Sequence, residues 1–101
     1  MRRGEVWWAE GTPDWRPVLI LTRESVIPLV NKVVVVPATT SARGIPSEVT
    51  LDRRDGMPRP CVLSFDNVRL LSKSLFRSRI TTLSESRLDE VCESLRYSLG
   101  C

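Results

Sequence analysis

Two apolar stretches decide the fold: R-P-V-L-I-L-T at residues 16–22 and V-V-V-V-P-A-T-T at residues 33–40. Four consecutive valines at residues 33–36 are the strongest strand signal in the chain. We expect Pro37 to end that strand or to form a bulge. The earlier stretch predicts a strand over residues 17–22, because proline is tolerated at the first position of a strand. Both runs are apolar without alternation, which predicts buried strands.

Other short segments extend this β-rich pattern on either side. Strands are predicted at residues 5–9 (EVWWA), 48–51 (EVTL), 61–65 (CVLSF), 68–71 and 79–82, with one helical turn at 72–75. Turn residues separate them, including the Asp-Gly step of R-R-D-G-M-P-R-P at 53–60. The pattern predicts a mainly β fold of the α+β kind, with five to seven short strands in a small curled sheet or barrel.

One long helix is predicted, at about residues 84–99. Ser84 is a suitable N-cap, Glu85 lies in the positive first turn, and Gly100 is placed to end the helix. The apolar positions follow a period of 3.6 and so predict one buried face: Leu88, Val91, Cys92, Leu95 and Leu99. Cys92 is therefore expected to belong to the core.

Composition limits the class of protein. The 101 residues, 42% hydrophobic and 27% charged, fit a single domain spanning residues 1–101. No apolar run approaches the roughly 20 residues that cross a bilayer, and M-R-R-G-E-V-W-W does not look like a signal peptide. We expect a cytoplasmic protein.

The chain contains no histidine and only three cysteines, none of them in a C-x-x-C pair. Ser-His-Asp and Cys-His nucleophiles are therefore excluded, and so is histidine-ligated zinc. A disulfide framework or an all-cysteine zinc site is not expected either. We expect no metal and no cofactor, so that any chemistry depends on Arg, Lys, carboxylate, Ser and Thr side chains.

The net charge of +3 includes a local basic stretch at residues 69–79. It carries Arg69, Lys73, Arg77 and Arg79 and no acid. Such a patch favours a polyanionic partner, and a solvated basic face is the alternative.

Four motifs in order carry a resemblance that covers nearly the whole chain. They are R-G-E-V-W at 3–7, R-P-V-L-I at 16–20, V-P-A-T-T at 36–40 followed by G-I-P-S-E-V at 44–49, and D-N-V-R at 66–69. Together they are similar to the MazF/PemK family of toxin endoribonucleases. The resemblance implies an SH3-like barrel, a homodimer, and metal-independent, sequence-specific cleavage of single-stranded RNA (mRNA, tRNA or rRNA). It also implies an antitoxin whose acidic, disordered tail covers the RNA groove.

The resemblance further implies a catalytic pair, Arg16 and Thr39. In such a reaction the RNA 2′-hydroxyl attacks its own phosphodiester, giving a 2′,3′-cyclic phosphate and a 5′-hydroxyl. A guanidinium suits the phosphoryl oxygens because it is planar, forked and always charged. Arg16 otherwise pairs with an acid such as Glu10 or Asp14, and Thr39 otherwise forms an ST-turn within its own loop.

The expected RNA-binding residues are Trp15, Thr40, Ser41, Arg43, Asn67 and Arg69, with the rest of the 41–47 loop along the RNA path. Trp15 would stack on a base, and Asn67 would read a base edge or form an Asx turn. Trp7 and Trp8 point to opposite faces of one strand, so at most one is core and the other serves the dimer or the groove.

The sequence departs from the family in its first loop, where only residues 11–15 separate Glu10 from Arg16. If the longer loop of relatives supplies an acid or closes over the RNA, that role is either vacant here or passes to Glu10 or Asp14. Two alternative functions stay open: a non-catalytic SH3-like module that binds nucleic acid or peptide, and a related barrel toxin that poisons gyrase.

Overall fold

The computed structural model describes residues 1–11 and 15–101, and within them it contains seven strands and one α-helix. The strands are β1 (Glu5–Ala9), β2 (Arg16–Ile20), β3 (Lys32–Thr39), β4 (Glu48–Leu51), β5 (Cys61–Ser64), β6 (Arg69–Ser72) and β7 (Phe76–Thr82), and the helix is α1 (Glu85–Leu99). Short 3-10 turns lie at Ile27–Leu29, Arg53–Asp55, Phe65–Asn67 and Lys73–Leu75. The helical turn predicted at residues 72–75 is thus present.

All strand pairs are antiparallel, in the order β4-β5-β3-β2-β1-β7. The long strand β3 has two partners on one side: its first half pairs with β6, and its last residues pair with β5. The sheet therefore curls into a half-barrel, with α1 packed against β4 and the Phe65–Asn67 turn. The prediction of a small, mainly β barrel with a C-terminal helix is confirmed.

Pro37 neither ends β3 nor forms a bulge, contrary to expectation. The strand continues to Thr39, and Pro37 pairs in register with Val18 of β2. On its other side Pro37 lies between the end of the β6 pairing at Val35 and the start of the β5 pairing at Ala38. A residue without an N–H is tolerated at such a gap in the ladder.

Both faces of the central strands are buried, which explains their lack of polar alternation. Val6, Leu19 and Val36 face the interior of the half-barrel, where Val91 of α1 joins them. The opposite face is packed by a second cluster: Ala9, Val18, Ile20, Ile27, Val33, Val35, Leu71 and Phe76. Each strand of the β2–β3 pair thus contributes alternate residues to two cores.

The α1 boundaries agree with the prediction. The Ser84 hydroxyl accepts a hydrogen bond from the Arg87 amide at 3.3 Å, and Gly100 ends the helix at φ 73°. The predicted face is only partly buried: Val91 is buried, Leu88, Cys92 and Leu95 are half-buried, and Leu99 is 66% exposed. Leu88 and Leu95 pack against the core cluster, whereas Cys92 does not belong to it and Leu99 lies on the surface, contrary to expectation. No helix of the described residues is long and apolar enough to cross a membrane.

Several predicted strand boundaries shift in the structure, and β6 lies one residue later than predicted, at Arg69–Ser72. β2 ends at Ile20 rather than at residue 22, β5 gives way to a 3-10 turn at Phe65, and β7 begins at Phe76 rather than at residue 79. The early start of β7 follows from its pairing, because Phe76 lies opposite Ala9 of β1. A cross-strand partner of this kind is not visible in local sequence.

Candidate active site

The β2–β3 register brings Arg16 and Thr39 together. Val18 and Pro37 are the last pair of this ladder, and Arg16 and Thr39 lie two residues beyond it on their strands. The same two side chains line two adjoining clefts. Arg16 and Thr39 therefore form the ridge between these clefts.

The larger cleft, of about 350 Å³, is mostly apolar, and we call it the aromatic cleft. Besides the ridge it is lined by Trp8, Trp15, Pro17, Ala38, Thr40, Met57, Pro58, Arg59, Pro60 and Cys61. Trp15 is 56% exposed, a large apolar surface open to solvent. Of the two neighbouring tryptophans, Trp8 lines this cleft while Trp7 packs against the second core cluster. A flat aromatic ligand fits such a surface.

The smaller cleft, of about 180 Å³, is polar and basic, and we call it the polar cleft. Besides the ridge it is lined by Pro37, Ser41, Arg43, Ser64, Asn67 and Arg69. With Arg16 it has three guanidinium groups, and no carboxylate is among its described lining residues. Guanidinium groups remain charged in proteins, so this cleft attracts an anionic ligand.

The Thr39 hydroxyl is oriented by its own loop. Its Oγ1 accepts a hydrogen bond from the Ser41 amide at 3.3 Å, the local contact expected of an ST-turn. A hydroxyl has one donor hydrogen in addition to its acceptor lone pairs. The Ser41 amide occupies a lone pair, so the Thr39 hydrogen can still donate to a ligand on the ridge.

The loop that carries Arg43 is held by Glu48. The carboxylate Oε1 accepts hydrogen bonds from the amides of Arg43 and Gly44, each at 2.9 Å. Its Oε2 lies 4.0 Å from the Arg43 Nε, at the limit of an ion pair. Two fixed backbone amides keep the loop at the edge of the polar cleft, whereas the Arg43 side chain is 63% exposed and reaches solvent.

The prediction that the whole 41–47 loop lines the ligand path is wrong at its end. Ser47 is 1% exposed, and its hydroxyl donates to the Asp66 carboxylate at 2.7 Å. Asp66 also accepts from Ser98 of α1 at 2.8 Å. These hydrogen bonds, the one from Ser47 foremost, hold the pKa of Asp66 below its usual value. Ser47 and Asp66 are thus structural: they fix the turn that presents Asn67.

The basic stretch at residues 69–79 does not form one patch. Arg77 pairs with Glu10 at 2.8 Å, Arg79 pairs with Glu5 at 3.2 Å, and Lys73 donates to the Ile27 carbonyl. Only Arg69 of this group lines a described cleft. Arg69 lies on β6, which pairs with β3, whereas Arg77 and Arg79 lie on β7, which pairs with β1, so the linear run is divided between separate strands.

These contacts also bear on the two acids considered as partners of Arg16. Glu10 is bound to Arg77 and is absent from the described lining of both clefts. Asp14 lies outside the described residues. The expectation that Glu10 replaces a first-loop acid is therefore not supported by its position.

Cys61 is the one titratable thiol in the two clefts as described. Burial raises the pKa of this thiol, and the nearby Asp55 carboxylate raises it further. A neutral thiol is a poor nucleophile. Among the residues that the model describes, no three His, Cys, Asp or Glu side chains are grouped as metal ligands.

All eight residues predicted for the site, catalytic and RNA-binding, line the two clefts. The sequence reasoning missed two further parts: the 57–60 segment with Arg59, and Ser64. The 57–60 segment precedes β5 and Ser64 ends it, and β5 pairs with the end of β3 across 22 or more intervening residues. No local signal indicated this pairing. The proline–arginine–proline order at 58–60 was the only hint of an extended, exposed arginine.

The curled half-barrel thus presents an aromatic-lined, mostly apolar cleft and a basic cleft on either side of Arg16 and Thr39. The family model described as "PemK-like, MazF-like toxin of type II toxin-antitoxin system" matches residues 2–99. The chain belongs to this toxin family.

Named relatives agree with this assignment. The chain is 47% identical over 102 residues to "Probable endoribonuclease MazF2" of Mycobacterium tuberculosis, covering 100% of both chains. It is 36% identical to "Probable endoribonuclease MazF5" of the same organism, covering 98% of this chain and 93% of the relative. Among solved structures it is similar to "Mycobacterium tuberculosis toxin MazF-mt6", with a TM-score of 0.88, 33% identity, and coverage of 95% and 96%.

Proposed function

We propose that this toxin is an endoribonuclease that cleaves single-stranded RNA without a metal, and that Arg16 and Thr39 act directly on the scissile phosphate. The observation that carries the proposal is the cross-strand placement of these two side chains on the ridge between the clefts. A relative 47% identical over its full length is named a probable endoribonuclease. The catalytic roles of Arg16 and Thr39 rest on the register and on the family motifs.

The reaction requires alignment rather than a strong enzymatic nucleophile. The RNA 2′-oxygen attacks the adjacent phosphorus, the bond from phosphorus to the 5′-oxygen breaks, and a 2′,3′-cyclic phosphate and a 5′-hydroxyl result. The 2′-hydroxyl proton passes to water, and the leaving 5′-oxygen takes a proton from water. The protein supplies positioning and stabilises the charge that develops on the phosphoryl oxygens.

Both ridge side chains donate hydrogen bonds to the phosphoryl oxygens. The Arg16 guanidinium donates two hydrogen bonds to the phosphoryl oxygens and remains charged throughout. The Thr39 hydroxyl, fixed by the Ser41 amide, donates one more. Donors that are already oriented need no reorganisation when charge develops, which is why they favour the transition state.

The flanking clefts would hold the nucleotides on either side of the cut. Trp8 and Trp15 offer stacking surfaces on one side, and a stacked base contributes about 1–3 kcal/mol. On the other side Asn67 offers an amide to a base edge, and Arg43 and Arg69 offer charges to neighbouring phosphates. Single strands suit this groove because their bases are free to turn outward.

Three further properties belong to this proposal. The chain acts in the cytoplasm as one domain, and a cognate antitoxin with an acidic tail occupies the basic groove. A solved relative from Deinococcus radiodurans, 28% identical with a TM-score of 0.82, is titled a MazE–MazF structure. The chain forms a homodimer, which is supported by exposed apolar surface at Leu70 and Leu99, 62% and 66% exposed.

The test is cleavage of single-stranded RNA in EDTA, with the product ends analysed. We expect cyclic-phosphate ends from the wild type and a loss of about 10²–10³-fold in rate for Arg16→Ala. Arg77→Ala is the matched control, because it removes an arginine whose charge is already paired with Glu10. Cleavage by Arg16→Ala at the wild-type rate would refute the role of Arg16. Binding without cleavage would favour the non-catalytic module, and an effect on supercoiling alone would favour a gyrase poison.

A further inference from the structure

We infer that Glu48 is a positioning residue for RNA binding: its carboxylate fixes the backbone of the loop at residues 40–47, so that Arg43 meets a phosphate next to the cut. This inference rests on the proposed function, because it takes RNA as the ligand. It concerns how the strand is held at the polar cleft, and not the chemistry on the ridge.

The first observation is how the 40–47 loop is held. It connects β3 to β4 and contains no helix or strand of its own, so its backbone N–H groups need partners outside a regular ladder. The Glu48 Oε1 is such a partner, because it accepts hydrogen bonds from the Arg43 and Gly44 amides, each at 2.9 Å. Hydrogen bonds to an ionised acceptor are roughly twice as strong as neutral ones.

The second observation is that Glu48 binds the backbone of Arg43 and not its side chain. The Glu48 side chain is 4% exposed, whereas the Arg43 side chain is 63% exposed. Oε2 has no hydrogen-bond partner among the described residues, and it lies 4.0 Å from the Arg43 Nε. The carboxylate therefore fixes where Arg43 begins, while the guanidinium donors remain available for a phosphate.

The charge of Glu48 by itself opposes RNA binding. The polar cleft attracts an anion through Arg16, Arg43 and Arg69, and a carboxylate beside Arg43 weakens that attraction. If charge were all that Glu48 contributes, its removal would strengthen RNA binding. A positioning role predicts instead that binding depends on the reach of the side chain, whatever its charge.

The experiment separates reach from charge with two variants. Glu48→Asp keeps the charge but is one methylene too short for the two amides, whereas Glu48→Gln keeps an acceptor oxygen at full length without the charge. The ligand is a short single-stranded RNA carrying 2′-O-methyl groups throughout, which the proposed chemistry cannot cut. Glu48→Asp should weaken binding about two- to fivefold, the range for an exposed charge contact. Glu48→Gln should bind at least as tightly as the wild type.

The salt dependence and a second substitution test whether Arg43 carries the effect. Glu48→Asp should make the plot of log binding constant against log salt concentration less steep by about 0.7, as Arg43→Ala should. In the Arg43→Ala background, Glu48→Asp should have no further effect. Wild-type affinity of Glu48→Asp, equal weakening by Glu48→Gln, or a full additional loss in the Arg43→Ala background overturns the inference.

Hydrogen exchange of the wild-type protein tests the contact without any variant. After correction for intrinsic rates, the Arg43 and Gly44 amides should exchange about tenfold or more slowly than the Ala42 amide, which has no acceptor among the described residues. Equal exchange of the three overturns the inference. A wild type that binds RNA without cutting unmodified RNA refutes the proposed function alone, and one that binds no RNA refutes both.

Discussion

Gly56 is the position where one added methyl group should do the most damage. It follows the Arg53–Asp55 turn at φ 91° and leads into the 57–60 wall of the aromatic cleft. A Cβ at Gly56 would lie 2.8 Å from the Thr81 Cβ and closer still to its hydroxyl. That hydroxyl donates to the Asp55 carbonyl at 2.8 Å, so that Thr81 cannot move without losing a hydrogen bond.

The cost of Gly56→Ala has three parts. Left-handed backbone costs an alanine about 1–2 kcal/mol, and the lost Thr81 hydrogen bond costs about 0.5–1.5 kcal/mol. Overpacking against β7 adds about 1–3 kcal/mol. Together these effects predict a loss of about 2.5–6.5 kcal/mol in the free energy of unfolding. Gly44→Ala shares the left-handed backbone, at φ 69°, but meets no atom within 4 Å. It should lose only about 1–2 kcal/mol.

Urea unfolding of both variants, followed by circular dichroism, measures these two losses. We also expect Thr81→Ala to restore part of the stability of Gly56→Ala, because it removes the nearest atom of the clash. Equal losses for Gly56→Ala and Gly44→Ala would refute the reasoning, since they would show that Thr81 contributes nothing. The same result would mean that the 57–60 wall is not fixed by contact with β7.

Three more outcomes are expected. Because hydrogen bonds hold the pKa of Asp66 below its ordinary value of 3.8, the ionised carboxylate stabilises the fold fully above that pH, and this effect is lost as the pH falls below it. Asp66→Asn should therefore reduce the loss of stability at acid pH, measured by thermal unfolding from pH 2 to 6, and an unchanged pH dependence would contradict this. Arg69→Ala should weaken RNA binding. It should also reduce the steepness of the plot of log binding constant against log salt concentration by about 0.7, whereas Arg77→Ala should leave that slope unchanged. Trp15→Ala should weaken binding of a short RNA by about 1–3 kcal/mol without altering the salt slope, and a shifted slope would indicate a lost charge contact instead.

Local sequence patterns predicted the structure correctly where neighbouring residues determine it. The EVWWA and EVTL segments form the predicted strands β1 and β4, and Ser84 and Gly100 bound the helix as expected. These features depend on side-chain alternation, capping and glycine conformation, all of which act within a few residues. The same reasoning failed at Pro37, which pairs within a longer strand, and at Leu99, which the fold leaves exposed. It also failed along the 69–79 stretch, where distant acids pair with Arg77 and Arg79.

The sequence by itself determined a mainly β chain with one C-terminal helix, and the absence of histidine determined which nucleophiles are impossible. The family motifs named Arg16 and Thr39 as a pair. Only the tertiary structure decided that they line the same two clefts, because the β2–β3 register is set by burying alternate side chains in two cores. The polar cleft likewise depends on β5 and β6 meeting the two halves of one long strand. Contacts between residues far apart in the chain follow from packing, which local sequence does not specify.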